Sequence, residues 1–346
     1  MPSLTTFLSV ALLASVVSAV GNTCKTGNVV HKPVIDGTPV YFPATWREDK
    51  AAPALAKDQS CSWMVTIPQG YYAKLTISGK MGDKHSYFQT VDCTGNVVQT
   101  KLETKHPYYF PSPKFTLVVS NEAAATFAFK IEWAPYTTQI SYIAGIGMQP
   151  HVLNITQDLF AADFSSDKVA LFVSPADPND YYSLRSSLVF EGQDYNGNFV
   201  ANLYTLYETH QQWVSKGSMV YIVNLEASNK TDILLVQDIQ YANFVDYVEL
   251  NCYGVSTCSA SVDGGDGKSA VLSLYASRSN ETLVDIKMDP SATMKVYYGS
   301  ETAFGFDSTY NGSTINSQLP LTFYGEDVTQ YVISNGKATL TFNIPQ

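Results

Sequence analysis

Charge is scarce in this chain. Asp, Glu, Lys and Arg make up 15% of its 346 residues, and the balance is acidic, with a net charge of −10. An acidic surface repels phosphate backbones, so nucleic acid is excluded as a partner class. Long apolar runs are missing too. The run Leu8 to Val17 holds two serines and no charge, and it falls short of the about 20 residues that a spanning helix needs. Val17-Ser18-Ala19 follows with the small residues of a cleavage site, so residues 1–19 read as a secretory signal peptide whose n-region lacks Lys and Arg. The alternative is an uncleaved N-terminal anchor. The last residues, Ala338 to Gln346, are too few and too polar for a removable lipid-anchor tail. A secreted chain with no transmembrane segment is therefore expected.

The signatures of catalysis are absent as well. There is no Gly-x-Ser-x-Gly elbow and no His-Glu-x-x-His, and the histidines are scattered at 31, 85, 106, 151 and 210. Gly267-Lys268-Ser269 ends like a phosphate loop, but Val262 stands where its first glycine belongs. Asp177-Pro178-Asn179 opens like a calcium loop and then fails at Tyr181 and Tyr182. Asp263-Gly264-Gly265-Asp266-Gly267 reads as a tight exposed turn. Asp246, Glu249 and Glu326 are carboxylates that a glycosidase could use, with nothing in the sequence to order them. No catalytic residue, cofactor or metal site is assigned.

What the chain does have is β-forming and aromatic: 23 Tyr and 17 Phe, with many Val, Thr and Ile. No long amphipathic helix is visible; Asn202 to Trp213 is the nearest candidate and lacks a 3.6-residue period. Phe127, Phe129, Ile131 and Trp133 alternate strictly, whereas Val169 to Val173 and Met219 to Val223 are unbroken apolar strands. Asn196-Gly197 and Asn335-Gly336 are hairpin signals.

An aromatic strand, a glycine turn and a serine-containing turn leading into an apolar strand recur three times. The copies run from Ser86 to Leu117, from Leu188 to Ile222, and from Val296 to Leu340. The chain length supports two or three domains. The divisions read as 20–136, 137–250 and 251–346. Four sequons, at Asn154, Asn229, Asn280 and Asn311, are candidate N-glycosylation sites and all follow residue 150.

The first division resembles the CUB-like domain of secreted nematode proteins. The residues that carry the resemblance are Cys24, Cys61-Ser62-Trp63, Ile67-Pro68-Gln69-Gly70-Tyr71-Tyr72-Ala73 and Tyr87-Phe88. Val91-Asp92, Gly95-Asn96, Tyr109-Phe110-Pro111-Ser112-Pro113 and the alternating run to Trp133 complete the set.

The resemblance implies an all-β chain of tandem CUB-like β-sandwiches with Greek-key or jelly-roll-like order. It implies secretion, a role in innate defence against microbes, and no enzymatic activity. It implies a Cys24–Cys61 disulfide beside core residues Trp63 and Trp133; chain entropy would make that bridge worth about 4 kcal/mol. Ordinary CUB domains often hold calcium through acidic residues. Here Asp83, Asp92 and Ser120-Asn121 stand near the relevant positions, and the two aspartates read better as turn residues.

Cys252 and Cys258 are expected to pair locally, across a loop short enough to be worth about 2 kcal/mol. Cys93 is then left over. It pairs with a second chain as a disulfide-linked dimer, lies buried at a strand end, or exchanges with Cys24 or Cys61. The function expected is extracellular binding, of a microbial surface glycan or an extracellular protein, in secretions, the intestinal lumen or the lysosome. The alternatives are a structural matrix or lumenal glycoprotein and a glycosidase or peptidase on a β scaffold.

Overall fold

Two kinds of strand build this molecule. In Gln59–Thr66 the buried residues are Cys61, Trp63 and Val65, with wetter residues between them. Lys114–Asn121 and Thr257–Asp263 alternate in the same way. Such strands have one dry face. Val169–Ser174 and Ile233–Asp238 are buried at every residue, and Met219–Asn224 and Val328–Ser334 at all but one end. These strands are covered on both faces.

A computed structural model accounts for the difference; it describes residues 21–136, 142–242, 245–265, 267–274, 280–324 and 326–344. The expected signal peptide, 1–19, lies outside them. The described strands form six sheets. Sheet 1 runs, in spatial order, Asn28–Val30, Gln59–Thr66, Lys114–Asn121, Tyr87–Val91, Val97–Thr100. Sheet 2 contains Val40–Phe42, Ala125–Pro135 and Tyr71–Lys80, flanked by Leu102–Thr104 and Tyr108–Pro111. Sheet 3 runs Tyr142–Gly145, Phe160–Ser165, Met219–Asn224, Ser187–Glu191, Asn198–Asn202, and sheet 4 His151–Asn154, Ile233–Asp238, Val169–Ser174, Trp213–Val214. Sheet 5 runs Val245–Glu249, Lys268–Leu274, Val328–Ser334, Thr293–Tyr298, Phe306–Asn311. Sheet 6 runs Thr257–Asp263, Lys337–Asn343, Glu281–Met288, Leu321–Phe323.

Sheets 1 and 2, 3 and 4, and 5 and 6 close into three sandwiches, so the chain is a tandem of β-sandwiches. Each has its own core: Trp63, Phe88 and Phe129 in the first, Phe164, Leu171 and Ile222 in the second, Val271, Leu340 and Phe342 in the third. Two further apolar layers join the sandwiches face to face. Tyr109, Tyr136, Leu188, Phe190 and Tyr221 fill the joint between sheets 2 and 3, and Phe172, Leu235, Tyr247, Leu272 and Val332 that between sheets 4 and 5. Within one strand, Val220 and Ile222 enter the second core while Tyr221 and Val223 enter the first joint. The two-residue period of a strand thus feeds two apolar layers at once, which is why these strands read as unbroken.

The same strand order occurs three times. In sheets 1, 3 and 5 the first strand is an edge strand lying parallel to its neighbour, and the other pairings are antiparallel. The repeat in the sequence is therefore a repeat of topology, but its third copy is matched one strand too late. In the first two copies the apolar strand is Lys114–Asn121 and Met219–Asn224, central in sheets 1 and 3; its counterpart in sheet 5 is Val328–Ser334. The Asn335-Gly336 turn comes after that strand. It leads into Lys337–Asn343 of sheet 6, so it links two sheets and makes no hairpin. Its two positive φ angles, 63° and 154°, reverse the chain, and burial then sends the two strands to opposite sheets. Asn196-Gly197 does close a hairpin, between Ser187–Glu191 and Asn198–Asn202.

The division at 250/251 also needs correction. Val245–Glu249 is the parallel edge strand of sheet 5, so the chain passes to the third sandwich between Asp238 and Val245. Its short polar–apolar alternation resembles any sheet edge, and only pairing with Lys268–Leu274 assigns it. Inside Asn202 to Trp213 lies one helical turn, α1 (Leu203–Tyr207), capped by the Asn202 side chain on the Thr205 amide and buried through Leu203 and Leu206. Disulfides join Cys24 to Cys61 and Cys252 to Cys258. Trp63 and Trp133 are both core residues, but only Trp63 lies near the first bridge, two residues from Cys61 on the same strand; the Trp133 indole donates to the Thr66 carbonyl at 3.0 Å, at the other end of that strand.

Candidate functional site

The joint between sheets 4 and 5 opens into a cleft of about 370 Å³. Ser174 and Thr231 come from the second sandwich, Glu249, Asn251 and Tyr253 from the third. The strand Val245–Glu249 buries Val245 and Tyr247 in the joint, and its period carries Glu249 to the same side. Ser174 Oγ donates to the Glu249 carboxylate. Burial outweighs that hydrogen bond and pushes the Glu249 carboxyl up to about 7. Beyond Glu249 a second cleft, of about 280 Å³, is lined by Tyr207, His210 and Tyr247.

One wall of the larger cleft is the Cys252–Cys258 loop. The bridge fixes the loop while Tyr253 stays 56% exposed. An exposed ring, two hydroxyls, an amide and a protonatable carboxyl surround one space. That space falls within the about 300–1,000 Å³ of small-molecule sites.

The other sequence candidates are dispersed. Asp246 lies on the opposite face of its strand from Glu249 and is exposed. Glu326 lines a different cleft, with Tyr298 and Phe304. The three carboxylates therefore do not converge. Among the described residues, no three His, Cys, Asp or Glu side chains are grouped to hold a metal ion. Asp83 is occupied by the Ser86 hydroxyl and the amides of His85, Ser86 and Ala123, which hold its carboxyl down at about 2. Asp92 accepts from the amides of Thr94 and Asn96. Asn121 Nδ2 donates to the carbonyls of Ala56 and Ala123. Asp177 accepts from the Asn179 amide, and Asp263 from the Gly265 amide and Lys337; Asp266 lies outside the described residues.

Asn229, Asn280 and Asn311 are exposed. Asn154 is half-buried, and Thr156 of its sequon is fully buried and donates to Asp232. Cys93 is half-buried in its turn, and that turn rests on the second sandwich: Asn96 Nδ2 donates to the Val200 carbonyl at 3.0 Å. Burial, with Asp92 alongside, pushes the thiol up to about 11.

Sequence reasoning missed the polar lock of the first joint. Arg185, only 1% exposed, reaches Glu103 of the first sandwich and lies 3.7 Å over the Tyr108 ring. A lone arginine ahead of Leu188-Val189-Phe190 gives no local sign that its partner is 82 residues away.

Comparison with known proteins assigns the first sandwich. Residues 19–137 match the family model of the CUB-like domain. The N-terminal sandwich is a CUB-like domain. CUB domains are in general non-catalytic binding modules, typical of extracellular proteins. Residues 146–225 and 239–344 match two other family models, each described as a domain of unknown function (DUF7592 and DUF7591). Among solved structures, the CUB1-EGF-CUB2 domain of human MASP-1/3 is 8% identical, with 53% of this chain and 94% of that one covered and a TM-score of 0.22. For the rat MASP-1 CUB1-EGF-CUB2 domains the values are 6%, 61%, 100% and 0.24. The full extracellular region of zebrafish Gpr126/Adgrg6 gives 9%, 94%, 53% and 0.27. Similarity at this level carries no functional argument. No curated protein matches the chain.

Proposed function

We propose that this is a secreted, N-glycosylated binding protein that acts without catalysis, and that its ligand seat is the cleft between the second and third sandwiches. The observation that carries the reading is the wall of that cleft. Tyr253 offers an apolar ring face, and Ser174, Thr231, Asn251 and Glu249 offer hydrogen-bonding groups around it. That combination suits a saccharide, whose C–H face packs on a ring while its hydroxyls bond to polar side chains. A microbial surface glycan is the ligand class we favour, which with the CUB-like domain supports a role in innate defence. The exposed sequons at Asn229, Asn280 and Asn311 support passage through the secretory pathway. We take the three sandwiches as the domains, with the second boundary between Asp238 and Val245.

The test is a glycan array and a panel of bacterial surfaces, probed with the purified protein and with Tyr253→Ala and Asn251→Ala. Binding that weakens about tenfold or more in the variants, equal to about 1.4 kcal/mol, is the expected result. Equal binding by wild type and variants would move the site elsewhere. No binding above a β-sandwich control, with unchanged microbial survival on deletion, would remove the proposal.

The face-to-face stacking favours a second reading, a structural matrix or lumenal glycoprotein, because apolar joints make a stiff body. Retention in an insoluble matrix, with expression independent of microbes, would support it.

A further inference from the structure

The first joint opens at one edge into a smaller cavity of about 230 Å³. His106, Pro107 and Tyr109 reach it from the first sandwich, and Asp180, Ser183 and Glu226 from the second. His106 stacks on Tyr182 across the joint, with ring centroids 4.4 Å apart. At the rim Lys230 Nζ donates to Asp180 at 2.9 Å. Asn229 lines this same cavity, is exposed, and is the acceptor of the sequon Asn229-Lys230-Thr231.

A sugar attached to Asn229 Nδ2 would therefore start at the cavity mouth. The wall provides what a sugar ring uses: ring and proline surfaces for its C–H face, and carboxylates and a hydroxyl for its OH groups. The space is below the range of drug-sized pockets, a match for a single ring. We infer that the first sugar of an Asn229-linked glycan sits in this cavity and braces the CUB-like domain against the second sandwich. The inference rests on the reading of the chain as a secretory glycoprotein. Asn280 and Asn311 are exposed on the third sandwich, remote from this joint, and serve as controls.

The experiment uses the full chain secreted from a eukaryotic host. Peptide mass mapping gives occupancy at each sequon. Thermal unfolding and amide hydrogen exchange are compared for wild type, Asn229→Gln, Asn280→Gln and Asn311→Gln. Wild-type protein trimmed by an endoglycosidase to one N-acetylglucosamine per site is measured too, as is protein stripped by an amidase.

The expected result is that Asn229→Gln lowers Tm by about 2–4 °C. It also speeds exchange on both sides of the joint, in 106–109 and 181–186, as full stripping does. Trimming to one sugar and the two control substitutions leave both readouts unchanged. Sugars at Asn280 and Asn311 with none at Asn229 would overturn the inference and leave the glycoprotein reading standing. So would an occupied Asn229 whose loss changes neither readout more than the controls. Sugars at no site would overturn both.

Discussion

Arg185 of the second sandwich and Glu103 of the CUB-like domain form a buried ion pair, the two Nη atoms standing 3.3 and 3.4 Å from the two carboxylate oxygens. The Tyr108 hydroxyl donates to the same carboxylate, and Tyr108, Tyr182 and Tyr204 surround the guanidinium. Taking both charges out of water is costly, and their attraction offsets that cost only while both are present. Glu103→Ala is expected to destabilise the protein by about 3–5 kcal/mol, because it leaves Arg185 charged and buried. Glu103→Leu combined with Arg185→Met should recover much of that loss. Urea unfolding of the wild type and the two variants checks the pattern; a double variant worse than the single one would contradict it.

Stability should fall as pH rises from about 4.5 to about 7. Burial raises the carboxyls of Glu249 and Glu281 to about 7, well above the ordinary range. Between the unfolded and folded values the native state holds more protons than the unfolded state, so each unit of pH in that window weakens folding, and the loss levels off above it. Asp83, held low, acts in the opposite sense only below pH 4, and within the window His151, half-buried and lowered by burial, opposes two carboxyls that are each raised to about 7. Glu281 accepts from Ser273 at 2.7 Å and Tyr331 at 3.0 Å, contacts that a glutamine amide oxygen can partly keep. Denaturant midpoints measured from pH 4.5 to 8 should flatten in Glu281→Gln; a slope unchanged from wild type would refute the assignment.

Cys93 should be inert at pH 7.5. Its thiol is half-buried and raised to about 11, so little of it is thiolate, the reactive form. Labelling by a maleimide should be slow in native protein and complete after denaturation, and the chain should run as a monomer on a non-reducing gel. A dimer lost in Cys93→Ser would restore the intermolecular reading.

Loss of the Cys252–Cys258 bridge should separate stability from binding. The loop is short, so Cys252→Ser with Cys258→Ser should cost only about 2 kcal/mol. The same change frees Tyr253 to move, so glycan binding should fall by more than stability does. Binding at wild-type strength in the double variant would count against Tyr253 as part of the site.

Much of the architecture was legible because strands record their burial. Phe127 to Trp133 showed its dry face by alternation, and the unbroken runs Val169–Val173 and Met219–Val223 showed apolar strands, which the structure covers on both faces. Their cause, the stacking of sandwiches, could not be read, because a run buried between two sheets of one domain and a run buried between two domains have the same composition. The same limit hid the sites. Glu249 was one carboxylate among many until Ser174, 75 residues earlier, closed over it. The fate of Cys93 stayed open because Val200, against which its turn rests, is more than 100 residues further on.

A nascent chain meets these joints in order. When the ribosome has released Tyr136, the CUB-like domain can close around Trp63 and Phe129, yet Tyr72, Tyr109 and Tyr136 still face water. They stay uncovered until Leu188, Phe190 and Tyr221 have been synthesised and folded against them. The second sandwich then waits in turn, with Phe172 and Leu235 bare until Leu272 and Val332 arrive. Each domain completes its own core before its outer face, so a chain that stops early leaves the ribosome folded but adhesive, and cellular quality control has a tyrosine-rich face, or one of Phe172, Leu235 and their apolar neighbours, by which to recognise it.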